Sequence, residues 1–140
     1  MRLTESTAEF LSKANIKELY LIGGSAVISE NVEKELKDKG IKITRISGTN
    51  RADTSRLIAE RYFPATSTAF VANGFSFADG LAAAPYAAKL NAPVLLVGDK
   101  AISSSLINHL KTSAIKSITV VGGDGAVGPR VLSELRDAIK

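Results

Sequence analysis

Apolar positions fall into short runs separated by stretches with helical spacing. Residues 19–22, 41–46, 68–72, 93–97 and 118–121 are runs rich in Leu, Ile and Val with little alternation, as in strands buried on both faces. The first intervening helix is expected over 4–13, with Thr4 or Ser6 as its cap. A second follows Ser29, places Val32 and Leu36 on its inner face and stops at Gly40. A third spans 53–62, starts near Asp53 and ends before Pro64. The fourth, 78–90, is rich in alanine and contains Pro85, which is expected to kink or divide it near Leu81. Residues 103–112 and 129–139 complete the set, with Pro129 suited to a first turn. Alternation of this kind predicts a three-layer α/β/α domain with a mainly parallel sheet of about five strands.

Each expected strand runs into a loop rich in Gly, Asn, Ser or Asp: Gly23-Gly24, Ser47-Gly48, Asn73-Gly74, Gly98-Asp99 and Gly122-Gly123. In open parallel sheets, ligands bind outside that edge, where helix N-termini present unpaired N–H groups. The same glycines also serve as tight strand-to-helix turns. Five such loops beside Arg45 and Arg51 point to an edge that accepts anions.

The head of the chain recurs in its tail. Residues 23–36 (GGSAVISENVEKEL) overlie 122–135 (GGDGAVGPRVLSEL) at an offset of 99, matching both glycines, Val32 with Val131, Glu35 with Glu134 and Leu36 with Leu135. Leu11 and Ile16-Lys17 fall on Leu110 and Ile115-Lys116 at the same offset, whereas about 44–100 occurs once. The chain therefore reads as one whole repeat, 44–140, preceded by the end of another, 1–43.

The 140 residues are 45% hydrophobic, which suits a packed core, and no apolar run approaches the roughly 20 residues of a membrane span. Arg2, Glu5, Glu9 and Lys13 leave no signal-peptide pattern at the start, as expected of a cytosolic protein or of a mature or excised piece of an exported one. Cysteine is absent, which excludes disulfides, thiolate metal sites and cysteine nucleophiles. A single histidine, His109, excludes a multi-histidine zinc cluster.

Of the net charge of +4, three units fall in 41–62, where Lys42, Arg45, Arg51, Arg56 and Arg61 face only Asp53 and Glu60. Arginine forks suit phosphate and carboxylate, but a helix face with a few salt bridges has the same composition. The charge is small for a nucleic-acid binder and lacks interleaved aromatics, so no nucleic-acid partner is expected.

Several motifs are decoys. Gly123-Asp-Gly125-Ala-Val-Gly128 matches GxGxxG, but no acidic residue stands about 20 positions later, and the earlier copy lacks the pattern. No GxxxxGK[ST] occurs. His109 reads as a structural histidine on a helix, Asp53 and Asp79 as residues of helix starts. Nothing pairs a nucleophile with a base, so neither an enzyme nor a cofactor is expected.

Four segments carry a family resemblance. Residues 45–54 (RISGTNRADT), 72–85 (ANGFSFADGLAAAP), 92–96 (APVLL) and 120–127 (VVGGDGAV) occur in the order of the cell wall binding repeat 2 family, and 21–27 (LIGGSAV) echoes the last of them. The chain resembles that family over about 45–140 and, for the end of a preceding repeat, over 16–43. Ala52 and Gly80 depart from the family's usual residues at their positions. The resemblance implies a non-catalytic module on exported proteins of Gram-positive bacteria, located at the cell wall or surface. Such repeats usually come in threes, packed about a pseudo-threefold, and bind anionic, teichoic-acid-type wall polymer non-covalently. The ligand-binding candidates it marks are Arg45, Gly48, Asn50, Arg51, Asn73, Gly74 and Asp79. The same positions also suit fold scaffolding, for example through an Arg51–Asp79 pair. With one whole repeat, avidity would come from a homotrimer or from neighbouring repeats. Two alternatives stand beside this reading: a small α/β enzyme or nucleotide/phosphate-binding domain using the glycine-rich edge, and a structural repeat that mediates self-assembly only.

Overall fold

A computed structural model describes residues 2–139, so the outermost residues of the two sequence segments, Met1 and Lys140, lie outside it. The chain divides into two compact units, residues 1–47 and 48–140. The sequence boundary at 43/44 follows the resemblance; the division in space comes later, after a complete strand.

In the first unit, helix α1 (Glu5–Lys13) is followed by strand β1 (Glu18–Ile22), helix α2 (Glu30–Asp38) and strand β2 (Lys42–Ile46). Thr4 caps α1 by accepting from Thr7 N, and Ser29 holds the N-cap position of α2. The two strands pair in parallel, in register from Glu18↔Lys42 to Ile22↔Ile46. Leu11, Leu21, Val32, Leu36 and Ile41 form the core, with Ile43 packed against it. Gly40, at φ +76, turns the chain from α2 into β2, a conformation that a side chain would strain.

The second unit contains α3 (Arg51–Tyr62), β3 (Thr68–Asn73), α4 (Phe77–Lys89), β4 (Val94–Val97), α5 (Ser104–Thr112), β5 (Ser117–Val121) and α6 (Pro129–Ala138). Its sheet is parallel with order β4-β3-β5. Alternate residues of β3 serve opposite layers. Ala69 and Val71 join Leu95, Leu106, Leu110, Val131 and Leu135 on one face, while Phe70 packs with Ala83 and Ala87 of α4 on the other. Tyr86 closes edge-on against Phe70, with centroids 5.7 Å apart. The alanines of α4 bring that helix close to the sheet, and the result is helix–sheet–helix.

Two expectations change. The five strands form a two-stranded and a three-stranded sheet, where one sheet of about five was expected. Apolar runs mark strands but say nothing about which edges meet: β2 pairs with β1, and β3 pairs with both β4 and β5. Pro85 does not divide its helix, because α4 is continuous across it. The carbonyl that proline deprives of a donor belongs to Leu81, an exposed residue, where water can serve it.

Candidate functional site

Because the strands of the second unit are parallel, β3, β4 and β5 all open at one edge. Asn73, the last residue of β3, is buried there. Its Nδ2 donates to Ala126 O at 2.6 Å, while its Oδ1 accepts from Phe75 N at 2.6 Å and Ser76 N at 3.1 Å. One side chain thus ties the turn after β3 to the turn after β5. Gly74 N donates to Val97 O at 2.8 Å, and a Cβ on Gly74 would lie 3.3 Å from that of Leu96. Arg51, at the first position of α3, reaches the same turn: its Nη1 donates to Gly74 O at 2.7 Å and its guanidinium lies 5.4 Å from the centroid of Phe75.

The loop before α3 is equally committed. Asn50 is the N-cap, its Oδ1 accepting from Asp53 N at 2.9 Å, so the helix begins two residues before Asp53. Gly48 N donates to Thr54 Oγ1, and Thr49 N donates to Asp53 Oδ2. A Cβ on Gly48 would stand 2.5 Å from that carboxylate and 2.7 Å from the Asp53 backbone carbon. The Thr49 N–H, then Arg56, hold the Asp53 carboxyl below the usual carboxylate range against the effect of burial. Asp79 lies in the first turn of α4, beside Gly122, where a Cβ would meet Asp79 Oδ2 at 2.7 Å. Among the described residues Arg51 and Asp79 form no ion pair; the acceptor of Arg51 is a backbone carbonyl.

Arg45 belongs to the first unit, at the C-terminal end of β2. Its Nε donates to Glu33 Oε2 at 2.8 Å and its Nη1 to Gly23 O at 2.8 Å; its side chain is 18% exposed. The remaining nitrogen, Nη2, is buried without a hydrogen-bond partner among the described residues. Lys37 and then Arg45 lower the pKa of Glu33. Arg45 therefore closes its own unit, and the expected pair of guanidinium groups open to a polyanion reduces to Arg51. The reason is a carboxylate twelve residues upstream on the facing helix, a partner that no local spacing reveals.

The basic segment is largely neutralised in this way. Lys42 pairs with Glu18, Arg45 with Glu33, and Arg56 with both Asp53 and Glu60. Arg61 lies over the ring of Tyr62. Among the described residues, Arg51 and Arg61 have no carboxylate within 4 Å.

The glycine-rich turns also use their own donors. Ala126 N and Val127 N bond to Gly123 O, and Val27 N and Ile28 N bond to Gly24 O in the matching turn of the first unit. Ile102 N donates to Glu134 Oε2. A phosphate cradle needs such N–H groups unspent. The GxGxxG stretch is a closed turn, with Gly128 packed so that a Cβ would lie 2.8 Å from Asp99 O. Among the described residues, no group of three or more His, Asp and Glu could hold a metal ion.

Exposed at this edge are aromatic groups that sequence reasoning did not single out. Phe75 and Phe77 are 76% and 78% exposed, flanking the turn that holds Arg51. The signal was in the sequence, as two phenylalanines where a strand turns into a helix, Phe75 in the loop and Phe77 at the first position of α4.

His109 is half-buried on α5, its side chain 9% exposed, with its Nδ1 3.5 Å from Glu60 Oε1 and its Nε2 without a hydrogen-bond partner among the described residues. Burial lowers its pKa, Glu60 opposing and Arg56 adding to the effect. The folded state thus favours neutral imidazole, and its pKa lies below the unfolded value of about 6.5. The contribution to stability is complete above the unfolded pKa and is lost as pH falls from there through the depressed folded pKa. Because the chain has one histidine, His109 dominates the window from about pH 7.5 to 5.5. Urea midpoints measured across it should fall with acid in the native chain and stay nearly level in His109→Leu; parallel slopes would overturn this.

The chain belongs to the Cell wall binding domain 2 (CWB2) family, whose model matches residues 45–132. It is 37% identical over 134 residues to N-acetylmuramoyl-L-alanine amidase LytC of Bacillus subtilis (strain 168), a match covering 96% of this chain and 27% of the amidase. It is 42% identical over 94 residues to the Amidase enhancer of the same organism, covering 67% of this chain and 13% of that protein. Cwp8 from Clostridium difficile has the same fold, with TM-score 0.78 and 31% identity over 94% of this chain and 22% of its own. Cwp6 from Clostridium difficile aligns with TM-score 0.89 and 22% identity, covering 98% of this chain and 22% of Cwp6. The chain thus spans between 13% and 27% of the length of these longer proteins. Among its described residues, no helix is long and apolar enough to cross a membrane.

Proposed function

We propose that this chain is a non-catalytic module that attaches a protein to the cell wall outside the cell by binding anionic, teichoic-acid-type polymer non-covalently. The observation that carries the reading is Arg51. It is fixed by Gly74 O and the Phe75 ring at the open edge of the sheet, with no carboxylate within 4 Å among the described residues to neutralise it. Gly48, Asn50, Asn73, Gly74 and Asp79 act by shaping the loops that hold this arginine, and Arg45 acts by closing the first unit. A catalytic or nucleotide-binding reading finds less support, since several backbone donors of these turns, those of Phe75, Ser76, Ala126 and Val127, are bonded within the protein.

A single guanidinium contact at an exposed site is weak and screened by salt, so useful retention needs several repeats acting together. The outward face of α4 favours contact between repeats, whether neighbours in one polypeptide or partners in a homotrimer. Phe77, Leu81 and Tyr86 are exposed there, and between Asp79 and Lys89 the helix carries no charge.

The test is co-sedimentation with purified anionic wall polymer at low and raised salt. Arg51→Ala should weaken retention about tenfold, the scale of one charge-assisted hydrogen bond. Arg51→Lys should restore part of it, because lysine keeps the charge without the planar fork. Retention by peptidoglycan stripped of polymer, or unchanged binding in a folded Arg51→Ala chain, would overturn the proposal.

A further inference from the structure

The two units are built on one plan up to a definite point. Helices α1 and α5, strands β1 and β5, and the starts of α2 and α6 each lie 99 residues apart. Their cores correspond in the same way: Leu11, Val32 and Leu36 fall on Leu110, Val131 and Leu135. So do their turns, with Gly24 O and Gly123 O accepting the equivalent pairs of N–H groups.

The difference lies beside the shared strand. In the first unit β1 has β2 along one edge, in parallel register, and Ile41 and Ile43 of that segment join the core. In the second unit the equivalent strand, β5, pairs with β3 and is the edge of its sheet. Val120, the counterpart of buried Leu21, is only half-buried. An edge strand carries a row of N–H and C=O groups available for pairing.

We infer that the outer edge of β5 is the docking site for a parallel strand of the β2 kind, supplied by the opening segment of a repeat that follows in the same polypeptide. The register of β1 with β2, moved by 99 residues, sets the alignment: the residue equivalent to Lys42 lies opposite Ser117 and that equivalent to Ile46 opposite Val121. The residue equivalent to Ile43 adds apolar cover to the core around Leu135 and Val131, as Ile43 does in the first unit. Each repeat's sheet is thereby completed by its successor, which makes neighbouring repeats one mechanical unit. The length of the similar proteins, of which this chain spans about a quarter, allows for such a successor.

The experiment appends a copy of residues 42–47 (KITRIS) after Lys140, so that each added residue falls 99 positions beyond its original. Amide exchange is then read on the whole extended chain. Outward-facing amides of β5 should exchange roughly tenfold more slowly, while those facing β3 change little. A second extension, with the copied Thr44 and Ile46 both replaced by proline, should give no protection, because in the original pair residues 42, 44 and 46 are the ones whose N–H groups face β1. Unchanged β5 exchange in the first extension would overturn the inference. So would equal protection by the proline version, or protection that appears only with dimerisation in sedimentation, which would assign the edge to a second copy.

Discussion

Replacing Leu110 by alanine should cost about 2–5 kcal/mol, the range for deleting a fully buried leucine side chain from a packed core. Leu110 is 0% exposed and sits where α5 meets Val131 and Leu135 of α6 under the three-stranded sheet. A cavity there has little means of collapsing, because the strand side is fixed by parallel pairing and the helix side by its cap at Ser103. In urea the midpoint of the second unit should drop with its slope unchanged. The matched substitution Leu11→Ala, at the equivalent position of the smaller first unit, should cost less, since Leu11 keeps some exposure and its sheet has only two strands. Equal losses at the two sites, or a Leu110→Ala midpoint within error of the native one, would contradict this account of the core.

The sequence revealed the elements more fully than their assembly. All five strands and six helices lie within a few residues of their expected places, because continuous apolar runs and capping residues are local signals. Asn50, Ser103 and Pro129 mark helix starts in the structure through the physics that makes such residues visible in a sequence. Sheet membership is a non-local property. Nothing in residues 42–46 states that their partner is β1 alone, so one sheet of about five strands was a natural but incorrect extrapolation. The repeat carried information about assembly that periodicity lacked, since its offset of 99 reappears in helices, strands, turns and core.

The site was legible as a place and less so as chemistry. Resemblance and strand-edge reasoning marked Arg51 beside one loop and Asn73 and Gly74 at the end of another strand; that the arginine reaches across to the turn Asn73 holds is visible only in the structure. A count of charges could not say which cations were already spent. Arg45, Lys42 and Arg56 meet carboxylates contributed by other elements or other turns, and only coordinates separate them from Arg51. Residues recognised by pattern thus fall into two physical groups: many that hold the loops, and one cation that the loops present. Mutations in the first group should act on stability and binding together, whereas Arg51→Ala should act chiefly on binding.

Asn73→Ala should be the most damaging polar substitution, costing about 3 kcal/mol or more. Removing the amide strands three backbone groups at once: Phe75 N and Ser76 N lose their acceptor, and Ala126 O loses its donor. Each such group costs about 1–3 kcal/mol when it stays shielded from water, and partial rehydration of the exposed turn keeps the total below a simple sum. Asn73→Asp separates the two halves of the clamp. It retains an acceptor for Phe75 and Ser76 but loses the donor to Ala126 and places a charge against that carbonyl. Amide exchange should then stay slow at residues 75–76 in Asn73→Asp and quicken in Asn73→Ala, while the turn at 122–128 loosens in both. Because Gly74 O is the seat of Arg51, polymer retention should fall in Asn73→Ala even with the arginine intact. A stable Asn73→Ala chain with native exchange at residues 75–76 would show that the turn holds itself, and that the arginine is positioned by something other than this amide.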